Sequence, residues 1–384
     1  MELSIFFDPI SDELAQTSFP LNSFCKSIHI HQEHFPDLSK VDIALIGLQE
    51  WRGSMENEQI AKAPFHIRQK LYALKKGSEN YRIVDLGNLR NGIDYQETIN
   101  RIKEVGHTLL EKKILPIFIG GTHDLDMGQF TAYENLGKLI SVLSIDAFLD
   151  MEESDKASES HTQQILMHQP NFLFNYTHMA YQSFLVDKKV INLLEKLYFD
   201  HYRLGQIKDN LKETEPLIRN ADMLSFDITA IRSADAPGNR QAQPFGLTGE
   251  EACQIAWFAG SNDKLSSIGF YGYQPALDDQ HGKTAAVMAT MIWYFIEGFY
   301  HRKDSLAFTG NDYTKYVVSL DTEPANLVFY KSKISGKWWM EVPHINGTDK
   351  YERNSILPCS YTDYEQALQG EVPERWINAQ IKLI

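Results

Sequence analysis

The chain has 384 residues, 43% of them hydrophobic and 23% charged, a balance that fits a folded globular protein and excludes disordered and fibrous classes. Its 51 acidic against 37 basic side chains give a formal charge of -14, which repels nucleic-acid phosphates and anionic headgroups, so neither nucleic acid nor a membrane is expected as a partner. Cys25, Cys253 and Cys359 are too few and too far apart for a disulfide scaffold or a thiolate zinc site, which fits a reducing cytoplasm.

The N-terminus has only a five-residue apolar run, Leu3 to Phe7, and acidic residues where an export signal needs basic ones, so no signal peptide is expected. Residues 1–40 precede the first convincing buried strand and read as an extension. Short β-branched runs then alternate with segments of helical period, the pattern of a doubly wound α/β fold with a mostly parallel sheet. Strands are expected at residues 42–48, 81–86, 114–119, 139–145, 223–228 and 265–271, all near-continuously apolar as strands covered on both faces must be. Between them, Ile99, Ile102, Val105, Leu109 and Leu110 recur at steps of three and four, which predicts an amphipathic helix over 95–113. Residues 190–199 read similarly. The apolar stretch 284–300 contains Glu297 and is short for a membrane span, so a buried helix is expected. Beyond His301 the pattern changes: turn chemistry at 309–312, a strand over 316–320 and a hairpin over 326–342 turning near Ser335 and Gly336 predict a small β-rich C-terminal module. The expected organisation is therefore an extension at 1–40, an α/β domain at 41–302 and a module at 303–384 packed on it.

In open parallel sheets, ligands bind outside the carboxyl ends of strands. Three expected strands end in polar residues there: Gly120-Gly121-Thr122-His123-Asp124, Asp146-Ala147-Phe148-Leu149-Asp150 and Asp227-Ile228-Thr229. Taken singly, an aspartate at a strand end often caps the next turn, and a histidine often satisfies a core backbone group. Together these positions supply one imidazole and several carboxylates, a donor set that suits manganese or magnesium. Clustered carboxylates repel one another unless a cation sits among them. The acidic stretch 151–160 reads as a solvated loop.

The three motifs resemble those of the ureohydrolase superfamily (arginase, agmatinase, formimidoylglutamase), which carries GGxH, DAHxD and SxDxD in this order. The likeness extends over most of residues 41–302, with Pro64 to Leu71, Asp235-Ala236-Pro237-Gly238 and Gly246-Leu247-Thr248 similar to further family segments. It implies a three-layer, arginase-like α/β fold, a homo-oligomer and a small-molecule ligand. The family's six metal-ligand positions fall on His123, Asp146, Phe148, Asp150, Asp227 and Thr229. Those of one metal, His123, Asp146, Asp150 and Asp227, are retained; the private ligands of the second are replaced by Phe148 and Thr229. The resemblance also places Gly272 where the family has a glutamate that pairs with the substrate's cationic group, and His161 where it has a proton-shuttling histidine, against which a surface-loop histidine is the plain alternative. These positions imply one Mn2+ or Mg2+ per chain at most, or none. The resulting expectation is a ureohydrolase-fold protein that is catalytically impaired or non-catalytic, with a binding or assembly role. The alternative is a mononuclear metal-dependent hydrolase of a linear amidine or other non-peptide C–N bond, with a formiminoglutamate-, agmatine- or arginine-like substrate.

Overall fold

The computed structural model describes residues 2–54, 58–152, 154–308, 311–321, 323–343 and 356–383. Ten strands form the main sheet: β1 (Phe7–Asp8), β2 (His29–Ile30), β3 (Ile43–Gly47), β4 (Ile83–Leu89), β5 (Leu115–Ile119), β6 (Ile140–Ile145), β7 (Leu173–Tyr181), β8 (Asp200–Arg203), β9 (Met223–Asp227) and β10 (Ser267–Tyr271). They run in the order β1-β4-β3-β5-β10-β9-β6-β7-β8, with β2 also on β4. Every pairing is parallel except the edge strand β1 on β4.

The six expected strands are all present, and their continuous apolarity has the anticipated cause. Along β3, Ile43 and Leu45 pack with Ile67, Leu71, Met288 and Ile292, while Ala44 and Ile46 join Ile99, Ile102, Val105 and Leu109. Successive side chains of one strand thus enter two cores on opposite faces, which makes three layers. Each such Leu or Ile, fully withdrawn from water, contributes roughly 1.5–3 kcal/mol. The helix expected at 95–113 spans Tyr95–Glu111, started by Asp94, whose side chain accepts from the Glu97 N–H. The buried helix is Lys283–Tyr300, and no described helix is long and apolar enough to cross a membrane.

Residues 1–40 supply β1 and β2 to the sheet edge, and their Ile10, Leu14 and Phe24 enter the main core. At the other end, β11 (Tyr313–Ser319), β12 (Asn326–Ser332), β13 (Trp338–Glu341) and β14 (Ile356–Cys359) form a small antiparallel sheet. Gly336, at φ +76°, lies in the expected hairpin turn. The turn expected at 309–312 lies partly outside the described residues. Two helices, Tyr361–Leu368 and Glu374–Leu383, complete the module. Buried Arg219 of the main fold donates to the carbonyl oxygens of Trp338 and Cys359 and stacks on the Trp339 ring at 4.4 Å, so the module docks through hydrogen bonds and an aromatic face.

Candidate metal centre

The central strands β5, β10, β9 and β6 are neighbours, so the loops leaving their carboxyl ends converge. After β5, Gly120 and Gly121 take φ +86° and +74°, and a Cβ on Gly121 would strike Leu125 Cδ1. Only glycine turns the chain there without strain. The turn delivers His123, 6% exposed, beneath the ends of β6 and β9.

His123 Nδ1 lies 2.8 Å from Asp146 Oδ2, 3.7 Å from Asp227 Oδ2 and 3.9 Å from Asp150 Oδ2. All three Oδ2 atoms thus lie within 4 Å of His123, but the donors that lie within 4.8 Å of one another form two trios that share His123, one with Asp146 and Asp227 and one with Asp150 and His161. Asp150 holds φ +42°, a left-handed conformation that costs a non-glycine residue energy and persists only where its surroundings impose it. The Oδ1 atoms of Asp146 and Asp227 have donors of their own. Asp146 Oδ1 accepts from the Phe148 N–H at 3.0 Å and from Thr229 Oγ1 at 2.5 Å, and Asp227 Oδ1 accepts from the Thr229 N–H at 2.7 Å. Thr229 thus does more than omit a ligand: its hydroxyl takes Asp146 Oδ1, while the N–H groups of Phe148 and Thr229 are backbone donors that any residue there would supply.

Electrostatics fit a cation among these donors. Burial and the Asp146 charge raise Asp150 to about 6 and Asp227 to about 7. Burial and His161 push the His123 imidazole down, but Asp146 and Asp126 outweigh them and lift it to about 9. Asp146, although buried, is held down at about 2 by its bond to His123. Without a cation, then, protons must partly neutralise the cluster. A divalent ion would replace them, and one imidazole nitrogen with carboxylate oxygens is a donor set suited to Mn2+.

The pH dependence of metal-free stability follows. Asp150 and Asp227 bind protons more tightly folded than unfolded, so stability falls as pH rises from about 4 through 6 and 7. The raised His123 adds stability that is complete below about 6.5 and lost as pH passes 9. Asp146 acts oppositely, losing its contribution only as pH falls from about 4 through 2. Burial holds His178, beside Asp146, down at about 4, which acts oppositely up to about 6.5, so metal-free protein should unfold at progressively lower temperature between pH 6.5 and 9, and Mn2+ should flatten that decline. Thermal melts across this range, with and without the ion, check it; a metal-free midpoint that climbs toward pH 9 contradicts it.

His161 is not on a solvated loop. Residues 157–160, expected as part of that loop, begin the helix Ala157–Met167, and His161 is 1% exposed. Its Nδ1 is 2.8 Å from Asp126 Oδ1 and its Nε2 is 3.2 Å from Asp150 Oδ2. Asp126 and Ser225 were not singled out from the sequence. Ser225 Oγ bonds His123 Nε2 at 2.6 Å and donates to Asp126 Oδ2 at 3.1 Å. The available signal was the second aspartate three residues after His123, which one helical turn returns to the same side.

A cavity of about 290 Å³ opens over the cluster. His123, Asp146, Phe148, Asp150, Asp227 and Thr229 form its floor, and Lys156, Asn239, Arg240 and Gln274 stand around them. His161 is not among its described lining residues. Gly272, at φ +82°, also lines it, and a Cβ there would sit 2.5 Å from Asp227 Oδ2. No side chain can project from this position without moving the backbone or Asp227, so the absent glutamate cannot be restored by a simple exchange.

Fold and site together define a doubly wound α/β protein with a histidine–carboxylate cluster at the carboxyl ends of its central strands. The arginase family model matches residues 41–297, and the chain belongs to that family. It is 24% identical over 299 residues to a formimidoylglutamase of Lysinibacillus sphaericus, a match that covers 72% of this chain and 90% of that protein. Among solved structures, a Trypanosoma cruzi formiminoglutamase with Mn2+ superposes with a TM-score of 0.64 at 19% identity, covering 70% of this chain and 97% of that one. The formimidoylglutamase of Bacillus subtilis gives 0.66 at 18% identity, covering 75% of this chain and 96% of that one.

Proposed function

We propose that this protein is a divalent-metal-dependent hydrolase of a non-peptide C–N bond in a linear amidine, with one cation held by His123, Asp146, Asp150 and Asp227. The observation that carries this reading is the split use of the aspartates: Oδ2 atoms gather beside His123 Nδ1, while Oδ1 atoms are occupied by Thr229 and Phe148. Membership of the arginase family and formimidoylglutamases among the relatives support a hydrolase over the non-catalytic role that the sequence first suggests.

A bound divalent ion supplies Lewis acidity, lowering the pKa of water and polarising an unsaturated carbon. The chain's own residues supply position and selectivity. Phe148 contributes an apolar ring to the cavity lining, which offers no ligand to a second ion. Asn239 is 5% exposed, and its side-chain amide has no hydrogen-bond partner among the described residues, so a ligand that satisfies it gains the full value of that bond. Glu159, another lining residue, spends its carboxylate on Lys156 and Ser154. Arg240 leaves a cationic group at the rim, and Gly272 leaves no carboxylate for a guanidinium. The balance favours an amidine that carries two carboxylates, as formimidoylglutamate does, over arginine with one and agmatine with none.

Mn2+-loaded protein is accordingly expected to release formamide from formimidoylglutamate and no measurable urea from arginine or agmatine. Product assays on the three compounds test this. Bound metal with no turnover on any of them would overturn the hydrolase reading and return the chain to a non-catalytic role.

A further inference from the structure

His161 remains unexplained as a proton shuttle, because a shuttle must meet the substrate and this side chain is not among the described residues lining the cavity. Its surroundings have a different logic. Asp126 anchors both imidazoles by their rear nitrogens: His161 Nδ1 donates to Asp126 Oδ1 at 2.8 Å, and His123 Nε2 donates to Ser225 Oγ, which donates to Asp126 Oδ2. The front nitrogens, His123 Nδ1 and His161 Nε2, are thereby turned toward one carboxylate, Asp150, at 3.9 and 3.2 Å. The rings lie 4.5 Å apart between centroids. Donor atoms of His123, Asp150 and His161 all lie within 4.8 Å of one another, as do those of His123, Asp146 and Asp227, so the two trios share His123.

A histidine that donates one ring N–H to a buried carboxylate and presents the other nitrogen to a donor cluster is the arrangement that orients metal-bound imidazoles. We propose that His161 is a direct ligand of the single cation, its Nε2 joining His123 and Asp150, with Asp126 as the positioning residue for both rings. The inference rests on the one-cation reading above and extends it. The imidazole absent at Phe148 is returned by helix Ala157–Met167 rather than by the β6 loop. Two nitrogens with carboxylate oxygens favour Mn2+, Co2+ or Zn2+ over Mg2+, which keeps to oxygen ligands and water.

The test is pulsed EPR of the Mn2+-loaded wild-type protein, which counts imidazole nitrogens coupled directly to the ion, together with Mn2+ titration of wild type and His161→Asn. Two coupled imidazoles in wild type, one in the variant and at least a tenfold weaker affinity in the variant are expected. The wild-type spectrum does not depend on the variant folding. A single coupled imidazole in wild type overturns the inference and leaves the one-cation hydrolase intact. No bound Mn2+ in wild type overturns that reading and this inference with it.

Discussion

Asp227→Asn is expected to lower Mn2+ affinity at least ~100-fold, since even partners outside the ligand shell commonly cost 10- to 100-fold. Asparagine preserves the volume of a side chain only 4% exposed and can still accept the Thr229 N–H bond through its amide oxygen. What it removes is the charge on the atom beside His123 Nδ1. The same removal relieves repulsion with Asp146, which is part of what lifts Asp227 to about 7. Metal-free Asp227→Asn should therefore be at least as stable as metal-free wild type above pH 7, while any hydrolytic activity disappears. Calorimetric titration with Mn2+ and a thermal melt of the metal-free forms together check both halves. A variant that loses stability while keeping its metal would show that Asp227 is a structural cap.

Arg68→Ala is expected to destabilise the fold by about 3–5 kcal/mol, the usual cost of breaking a buried ion pair by removing one partner. Arg68 is 1% exposed. It donates twice to Asp85 at 2.8 Å, once to the Gly87 carbonyl at 2.7 Å and once to Asn88 at 2.6 Å, and Tyr72 also donates to Asp85. Without the guanidinium, Asp85 stays at 0% exposure as a charge with only a phenol and a backbone N–H for company. The group ties the helix Ala63–Ala73 to β4, and Gly47 at the end of β3 packs against it. Denaturant unfolding measures the loss; a change below about 1 kcal/mol would mean that water or relaxation satisfies Asp85.

The parts of this molecule that were legible as sequence share one property: their residues answer to a single constraint. Strands covered on both faces must be apolar throughout, so β3, β5, β6, β9 and β10 stand out as runs. β7 does not. Its Asn175, Thr177 and His178 are buried polar groups that break the apolar run: Asn175 donates to Asp200 and Thr177, and His178 bonds Tyr176 and the Asp146 carbonyl. β1 and β2 are two residues each, too short to carry any period. In the site, the four candidate donors were legible because each follows a buried strand or a glycine turn, and the structure places all three carboxylates within 4 Å of His123. Asp126 and Ser225 were not, because their part is to hold the backs of His123 and His161, and partnership of that kind is a fact of three dimensions. Burial of His161 was hidden for a related reason: the charged residues before it resemble a loop, yet helix Ala157–Met167 turns it inward.

Metal content tests the central claim most directly. Wild-type protein saturated with Mn2+ and dialysed against metal-free buffer should retain one ion per chain by elemental analysis, because Phe148 offers no ligand to a second ion and Thr229 offers no charge while its hydroxyl already takes Asp146 Oδ1. Two tightly held ions per chain would contradict the account, since Phe148 and Thr229 would then have failed to close the second position.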